Sequence, residues 1–226
     1  MHSDSDIERC SVNILGHRIG YLDGGEGEQT LLLVHGNLVG SHVYARLIDC
    51  LHDRYRCVAP DLLGFGRSDK PAAKADYSLS KHIDTMIEFV RALALRNLAL
   101  VVHDWGGPIG VGAALEDKER HSHLVVLNTV VESPIRIPRR YRPFHALLGV
   151  ERVADYLMRE RNLFQRSALP GMDAADRAVY FRANDDPATR AGIGAFPSMV
   201  PTTASIRIMN GCAPSSPSWK RGPSRH

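Results

Sequence analysis

The chain has 226 residues, 44% of them hydrophobic, with a formal net charge of +3. That length suits one α/β domain with an insertion and is marginal for two independent domains. That charge is too small to argue for a nucleic-acid or anionic-membrane partner. No apolar run approaches transmembrane length, and the polar residues 1–6 do not read as a signal peptide. Four cysteines at 10, 50, 57 and 212, with no CxxC pair and no His cluster, read as reduced, non-metal thiols of a cytoplasmic protein.

In chain order, residues 11–15 and 18–22 flank Gly16-His17 and predict a hairpin. Residues 30–34 form a continuous apolar run, a buried strand, ending in His35-Gly36-Asn37. Val43, Leu47, Ile48 and Leu51 fall on one face of a following helix. The next strand, 55–60, ends in Asp61-Leu62-Leu63-Gly64-Phe65-Gly66-Arg67-Ser68-Asp69-Lys70-Pro71. A helix over 80–95 carries Ile83, Met86, Ile87, Val90 and Ala94 on one face, with Ser78 or Ser80 as cap and Asn97 as stop. A strand over 98–102 and its helix to residue 116 follow, then a further buried strand over 124–127 ending at Asn128-Thr129.

After Ser133-Pro134 the character changes. Pro134, Pro138 and Pro143 punctuate a basic stretch, Arg136, Arg139, Arg140 and Arg142, which reads as a solvated face. Residues 150–163 and 173–182 read as helical, the second with Asp173 as cap, and no strand appears before Thr202. Residues 210–226 are rich in Ser, Pro and Arg and read as disordered. The expected organisation is an α/β core over 1–132, a mostly parallel doubly wound sheet, a helical lid over 133–201 and an irregular tail over 202–226.

The stretch Val101-Val102-His103-Asp104-Trp105-Gly106-Gly107-Pro108 joins a buried strand to a helix that Pro108 suits in its first turn. Asp104 therefore sits on a sharp strand-to-helix turn, in which Gly106 and Gly107 let the backbone turn tightly and leave room for strand and helix. This is the geometry of a nucleophile elbow with Asp in the usual place of Ser. It lifts the carboxylate above the strand end, beside a helix N-terminus that favours an anion. The alternative reading of Asp104 is a helix N-cap, although a cap requires neither the Trp beside it nor the Gly pair behind it.

His35-Gly36-Asn37, Asp61 to Pro71 and Val102-His103-Asp104-Trp105-Gly106-Gly107 resemble the motifs of the haloalkane dehalogenases of the α/β-hydrolase fold, in the same order. The resemblance runs from Ile14 to Pro201, and Ala191-Gly192-Ile193-Gly194-Ala195-Phe196-Pro197 is similar to the end of a dehalogenase lid. It implies a hydrolase in which Asp104 attacks the carbon bearing the halogen, forms an alkyl-enzyme ester and yields alcohol and halide. A carboxylate nucleophile needs no deprotonation, unlike Ser. The resemblance places halide between the Trp105 indole N–H and the Asn37 amide, and makes their backbone N–H groups the oxyanion hole. Taken singly, Trp105 also reads as core packing and Asn37 as a turn residue. The partners implied are a small apolar halogenated substrate, water and halide, with no cofactor, no metal, no nucleic acid and no membrane.

His35 is expected to shape the oxyanion turn, His103 to point to the opposite face of its strand, and Asp61 to tie down its own turn. Epoxide hydrolases share the Asp-Trp-Gly-Gly elbow and are the rival; they want lid tyrosines as proton donors, here Tyr141, Tyr156 and Tyr180. Leu38 stands where both families commonly carry Pro, and Val102 where epoxide hydrolases usually carry Gly. Dehalogenases continue past the lid with two more strands, an acid and a catalytic His. Here the pattern is lost near Ala204, and the one His beyond His145 is His226. Glu132 is the candidate acid. The expectation is a dehalogenase truncated or frameshifted at its C-terminus and lacking the usual last strands, its turnover impaired, or else a non-catalytic remnant that binds small apolar ligands.

Overall fold

A computed structural model describes residues 7–130, 139–148, 150–163, 166 and 171–200. Six strands form one sheet: β1 (Ile7–Ile14), β2 (His17–Gly24), β3 (Thr30–Val34), β4 (Arg56–Pro60), β5 (Leu98–His103) and β6 (His121–Leu127). Their order is β1-β2-β4-β3-β5-β6. β2 runs antiparallel to both its neighbours, and β4, β3, β5 and β6 are mutually parallel. The hairpin expected around Gly16-His17 is present, and longer than its apolar alternation suggested.

The apolar runs of β3 and β5 are buried on both faces, as parallel strands between helix layers must be. Leu32, Val34, Leu98, Leu100 and Val102 face one core with α2 (Leu79–Ala92) and α3 (Gly106–Glu116). Leu31, Leu33, Ala99 and Val101 face another, with Tyr44 and Ile48 from a 3₁₀ turn (Ser41–Tyr44) and α1 (Ala45–Leu51). Of the expected apolar face, Ile48 is fully buried and Val43 and Leu51 pack partly buried against this core, whereas Leu47 is exposed.

Ser78 caps α2 by accepting from the Lys81 N–H. The helix ends earlier than expected. Ala94 adopts φ +48°, the Leu95 N–H donates to the Val90 carbonyl at 3.0 Å and the Ala94 N–H to the Arg91 carbonyl at 2.9 Å. That double bond pattern is a Schellman ending with Ala in place of Gly, so Ala94 is not on the helix face. Asn97, also at positive φ, lies in the turn into β5, where its carbonyl accepts from the Thr30 N–H. A second correction concerns β6, which is not buried: Leu124, Val125, Val126 and Leu127 are each 40–47% exposed.

No strand follows β6 among the described residues. The described residues after it hold helices only: α4 (Arg142–Leu148), α5 (Glu151–Asp155) running into a π-helical turn (Tyr156–Glu160), α6 (Ala174–Arg182) and α7 (Ala191–Ala195) between 3₁₀ turns Pro187–Arg190 and Phe196–Met199. α6 begins directly after Asp173, whose carbonyl accepts from the Arg177 N–H. Arg139, Arg140 and Arg142 are exposed. Arg190 is buried and donates to the carbonyls of Asn184 (2.7 Å), Arg159 (2.6 Å), Glu160 (3.4 Å) and Asp185. The expected basic residue Arg136 and the tail over 202–226 lie outside the described residues.

Candidate active site

β3 and β5 are parallel, with Val34 opposite Val102. The residues following each strand therefore emerge side by side. Asp104 turns the chain from β5 into α3 at φ +51°, a left-handed conformation that is uncommon outside Gly, though Asp tolerates it better than most. Trp105, not Asp104, is the residue preceding the first turn of α3, and no side chain caps it. The reading of Asp104 as N-cap therefore does not hold. Of the two roles expected of the glycines behind it, the close approach of strand and helix is seen and the special turn conformation is not. Both are helical, and neither has positive φ. Their role is close approach: a Cβ on Gly106 would run into the Val34 carbonyl, and one on Gly107 into the Thr129 hydroxyl.

The Asn37 N–H donates to Asp104 Oδ1 at 2.7 Å. Gly36 makes this possible, since a Cβ there would overlap the Asp104 carboxylate. The Asn37 side chain is itself oriented: its Oδ1 accepts from the Leu38 N–H at 2.8 Å, which leaves the NH₂ group free to donate. The Trp105 ring stands edge-on to Phe196, with ring centroids 5.1 Å apart, and its indole N–H has no hydrogen bond among the described residues. The Thr129 hydroxyl donates to the Asp104 carbonyl and ties the end of β6 to the elbow. A cleft of about 190 Å³ opens beside Asp104, lined by Trp105, Pro108, Asn128, Thr129, Val130 and Val200. Asp104 and Trp105 thus face a space that Val200, just after the last 3₁₀ turn, also lines, whereas Asn37 does not line this cleft.

His35 is fully buried between two turns. Its Nε2 accepts from the Leu62 N–H at 2.9 Å, so Nδ1 carries the proton and donates to the Gly36 carbonyl at 2.7 Å. Burial pushes its pKa down to about 4, against the opposing pull of Asp61. Asp61 reaches further than its own turn. It accepts from the Arg67 N–H at 2.9 Å and from the Ser41 N–H at 2.6 Å, joining the turn after β4 to the turn after β3. No histidine lines the Asp104 cleft or hydrogen-bonds to Asp104 among the described residues.

Of the expected site residues, Asp104, Asn37 and Trp105 come together, and Glu132 lies outside the described residues. The sequence reading does not single out the contacts that Thr129 and Phe196 make with Asp104 and Trp105. Thr129 closes a strand next to the elbow, and Phe196 sits in a motif already singled out, but both contacts are made across the fold. Of the tyrosines expected for epoxide opening, Tyr156 is exposed and Tyr180 packs edge-on against His42, at 4.6 Å between centroids, away from the Asp104 cleft. The side chain of Tyr141 lies outside the described residues.

The α/β hydrolase fold family model matches residues 29–157, which include β3, the elbow and α3. The chain belongs to the α/β hydrolase fold family. It is similar to a haloalkane dehalogenase of Mycolicibacterium paratuberculosis, 35% identical over 188 residues, a match covering 82% of this chain and 62% of that protein. It is also 42% identical over 116 residues to a cis-3-alkyl-4-alkyloxetan-2-one decarboxylase of Shewanella oneidensis, covering 50% of this chain and 36% of that one. Among solved structures it resembles the haloalkane dehalogenase DpaA of Paraglaciecola agarilytica, with a TM-score of 0.78 and 28% identity over 93% of this chain and 71% of that one. The chain therefore spans less than two thirds of the length of the curated dehalogenase, 62%. No helix among the described residues is long and apolar enough to cross a membrane.

Proposed function

We propose that Asp104 of this α/β hydrolase attacks the halogen-bearing carbon of a small haloalkane. The observation that carries this reading is the Asn37 N–H on Asp104 Oδ1 at 2.7 Å. One carboxylate oxygen is held by the neighbouring strand end, and the other is left to attack. Oδ2 forms the new C–O bond as the C–halogen bond breaks, and the halide leaves with its electron pair. An anion leaving beside Asp104 needs donors, and among the described residues neither the Trp105 indole N–H, in the cleft, nor the NH₂ of Asn37, whose N–H holds Asp104 Oδ1, makes a hydrogen bond. The ester carbonyl then rests on the Asn37 N–H, where an oxyanion would be stabilised if water attacks. We infer that the segment ending at Val200, which lines the cleft, serves as its cover.

Hydrolysis of the ester needs a base to activate water, typically worth ~10²–10⁴-fold. His35 cannot serve, because both its nitrogens are committed to backbone groups. Among the described residues no other histidine lines the cleft, and on these residues alone we infer that the chain alkylates and then stalls. Offered iodohexane, folded protein is expected to release about one halide per chain and stop, with the hexyl group found by mass spectrometry on the peptide holding Asp104. Asp104→Asn is expected to show neither. Sustained turnover would overturn the stall and place a base in residues outside those described; no release by folded wild-type protein would overturn the nucleophile and favour a binding remnant.

The 42% identity to the oxetanone decarboxylase supports a second reading in which the same carboxylate opens a strained four-membered cyclic ester at its alkyl carbon. Carbon dioxide and alkene formed from a cis-dialkyl β-lactone, with haloalkanes inert, would favour it over dehalogenation. Steady diol formation from a simple epoxide would move the assignment to epoxide opening instead.

A further inference from the structure

A second cleft, of about 340 Å³, lies on the α1 side of the sheet between the β1–β2 edge and helix α6. It shares no lining residue with the Asp104 cleft. Arg9 stands opposite Leu22 in the β1–β2 pairing, and cross-strand partners share a face. Ile7, two residues before Arg9, lies on that same face. Across the gap α6 supplies Val179 and Arg182, and the turn after β4 supplies Arg67. The walls are thus aliphatic, with three guanidinium groups around them.

The charges are not matched within the fold. Arg67 is engaged, its Nη2 donating to the Tyr21 carbonyl at 2.6 Å and its Nε lying 3.9 Å from the Asp61 carboxylate. Asp61, the one acid lining the cleft among the described residues, is 2% exposed and already accepts from the Ser41 and Arg67 N–H groups. Arg9 and Arg182 have no ion-pair or hydrogen-bond partner among the described residues. His42 also lines the cleft, and its Nε2 is buried without a hydrogen-bond partner.

We propose that this cleft binds an amphiphilic carboxylate, its headgroup between Arg9 and Arg182 and its alkyl chain along Ile7, Leu22 and Val179. Arginine forks match a carboxylate in geometry as well as charge. Aliphatic walls of this extent would not be left around a site for a small inorganic anion, which carries no apolar surface to bury. The volume falls within the range of small-molecule sites. Such a ligand would bridge strand β1 and helix α6, and so hold the helical segment against the sheet.

The test is calorimetric titration of the full chain with hexanoate, octanoate and decanoate, beside octanol and inorganic phosphate. Octanoate is expected to bind once per chain and to raise Tm, since it binds only the folded state. Arg9→Gln and Arg182→Gln are each expected to weaken it about tenfold. Both side chains lack partners among the described residues, so both variants should melt like the wild type. Equal binding of octanol, or displacement of octanoate by phosphate at equal concentration, would overturn the amphiphile. Unchanged affinity in both variants, or loss of octanoate binding after Asp104 has been alkylated, would place the ligand elsewhere and overturn the site. The last arm keeps this result separate from the nucleophile: a chain that fails to release halide can still bind octanoate here.

Discussion

At Leu38 the backbone φ is +72°, and its N–H donates to Asn37 Oδ1 at 2.8 Å. Proline is locked near −65° and has no N–H, so the residue common at this place in the family cannot occupy this chain's turn. Leu38→Pro is expected to destabilise by about 2 kcal/mol or more, read as a lower Tm, and to weaken quenching of Trp105 by iodide if the Asn37 amide helps hold halide. A stable Leu38→Pro with unchanged quenching would show that the turn relaxes. A pH effect belongs to the same scale. Burial holds the His35 pKa down to about 4 and that of His82 to about 3, below the ordinary 6.5. The unfolded chain therefore takes up protons first as pH falls, and stability is lost from about pH 6.5 downward until the folded histidines titrate. Between pH 7 and pH 5 the Tm is expected to fall by roughly 5–10 °C, and His82→Phe should blunt the slope. A flat profile would contradict both burials.

Among the elements, the helical segment depends on one buried side chain. Arg190 satisfies carbonyls of Asn184, Asp185, Arg159 and Glu160, so it joins the π-helical turn after α5 to the turn before α7. Arg190→Met keeps the stem and strands those acceptors, at a cost of about 3 kcal/mol. Limited proteolysis over 150–199 should accelerate while far-UV circular dichroism of the sheet holds; equal protection would show the segment is held by apolar packing alone. Nothing in the spacing around Arg190 announces this, because its partners are carbonyls and every residue has one. The α2 ending was hidden for a related reason. A Schellman ending usually shows itself by Gly, and here Ala94 takes the left-handed turn. By contrast, Asp104, Asn37 and Trp105 were legible, since a strand running into acid, Trp and two Gly is a local pattern. Thr129 on the Asp104 carbonyl and Phe196 on Trp105 are long-range contacts, which local pattern does not encode.

For the molecule as a whole, the sheet is lopsided. Its central strands were readable as continuous apolar runs because both their faces are covered. β6 carries the same kind of run, Leu124-Val125-Val126-Leu127, which by itself predicts burial. Burial, however, depends on what packs beside a strand. Among the described residues β6 pairs only with β5, and four consecutive apolar residues are exposed on both faces. An exposed apolar edge strand is a template for pairing with another chain. At micromolar concentration the chain is expected to self-associate through this edge, with scattering that rises with concentration and thioflavin binding if the pairing extends. Val125→Lys, an outward charge on that edge, should shift the population toward monomer and leave Asp104 alkylation unchanged, since Val125 does not line the Asp104 cleft. A wild-type chain that is monodisperse and melts cooperatively would show that the edge is covered in solution. Val125→Lys as aggregated as the wild type would move the sticky surface elsewhere on the fold.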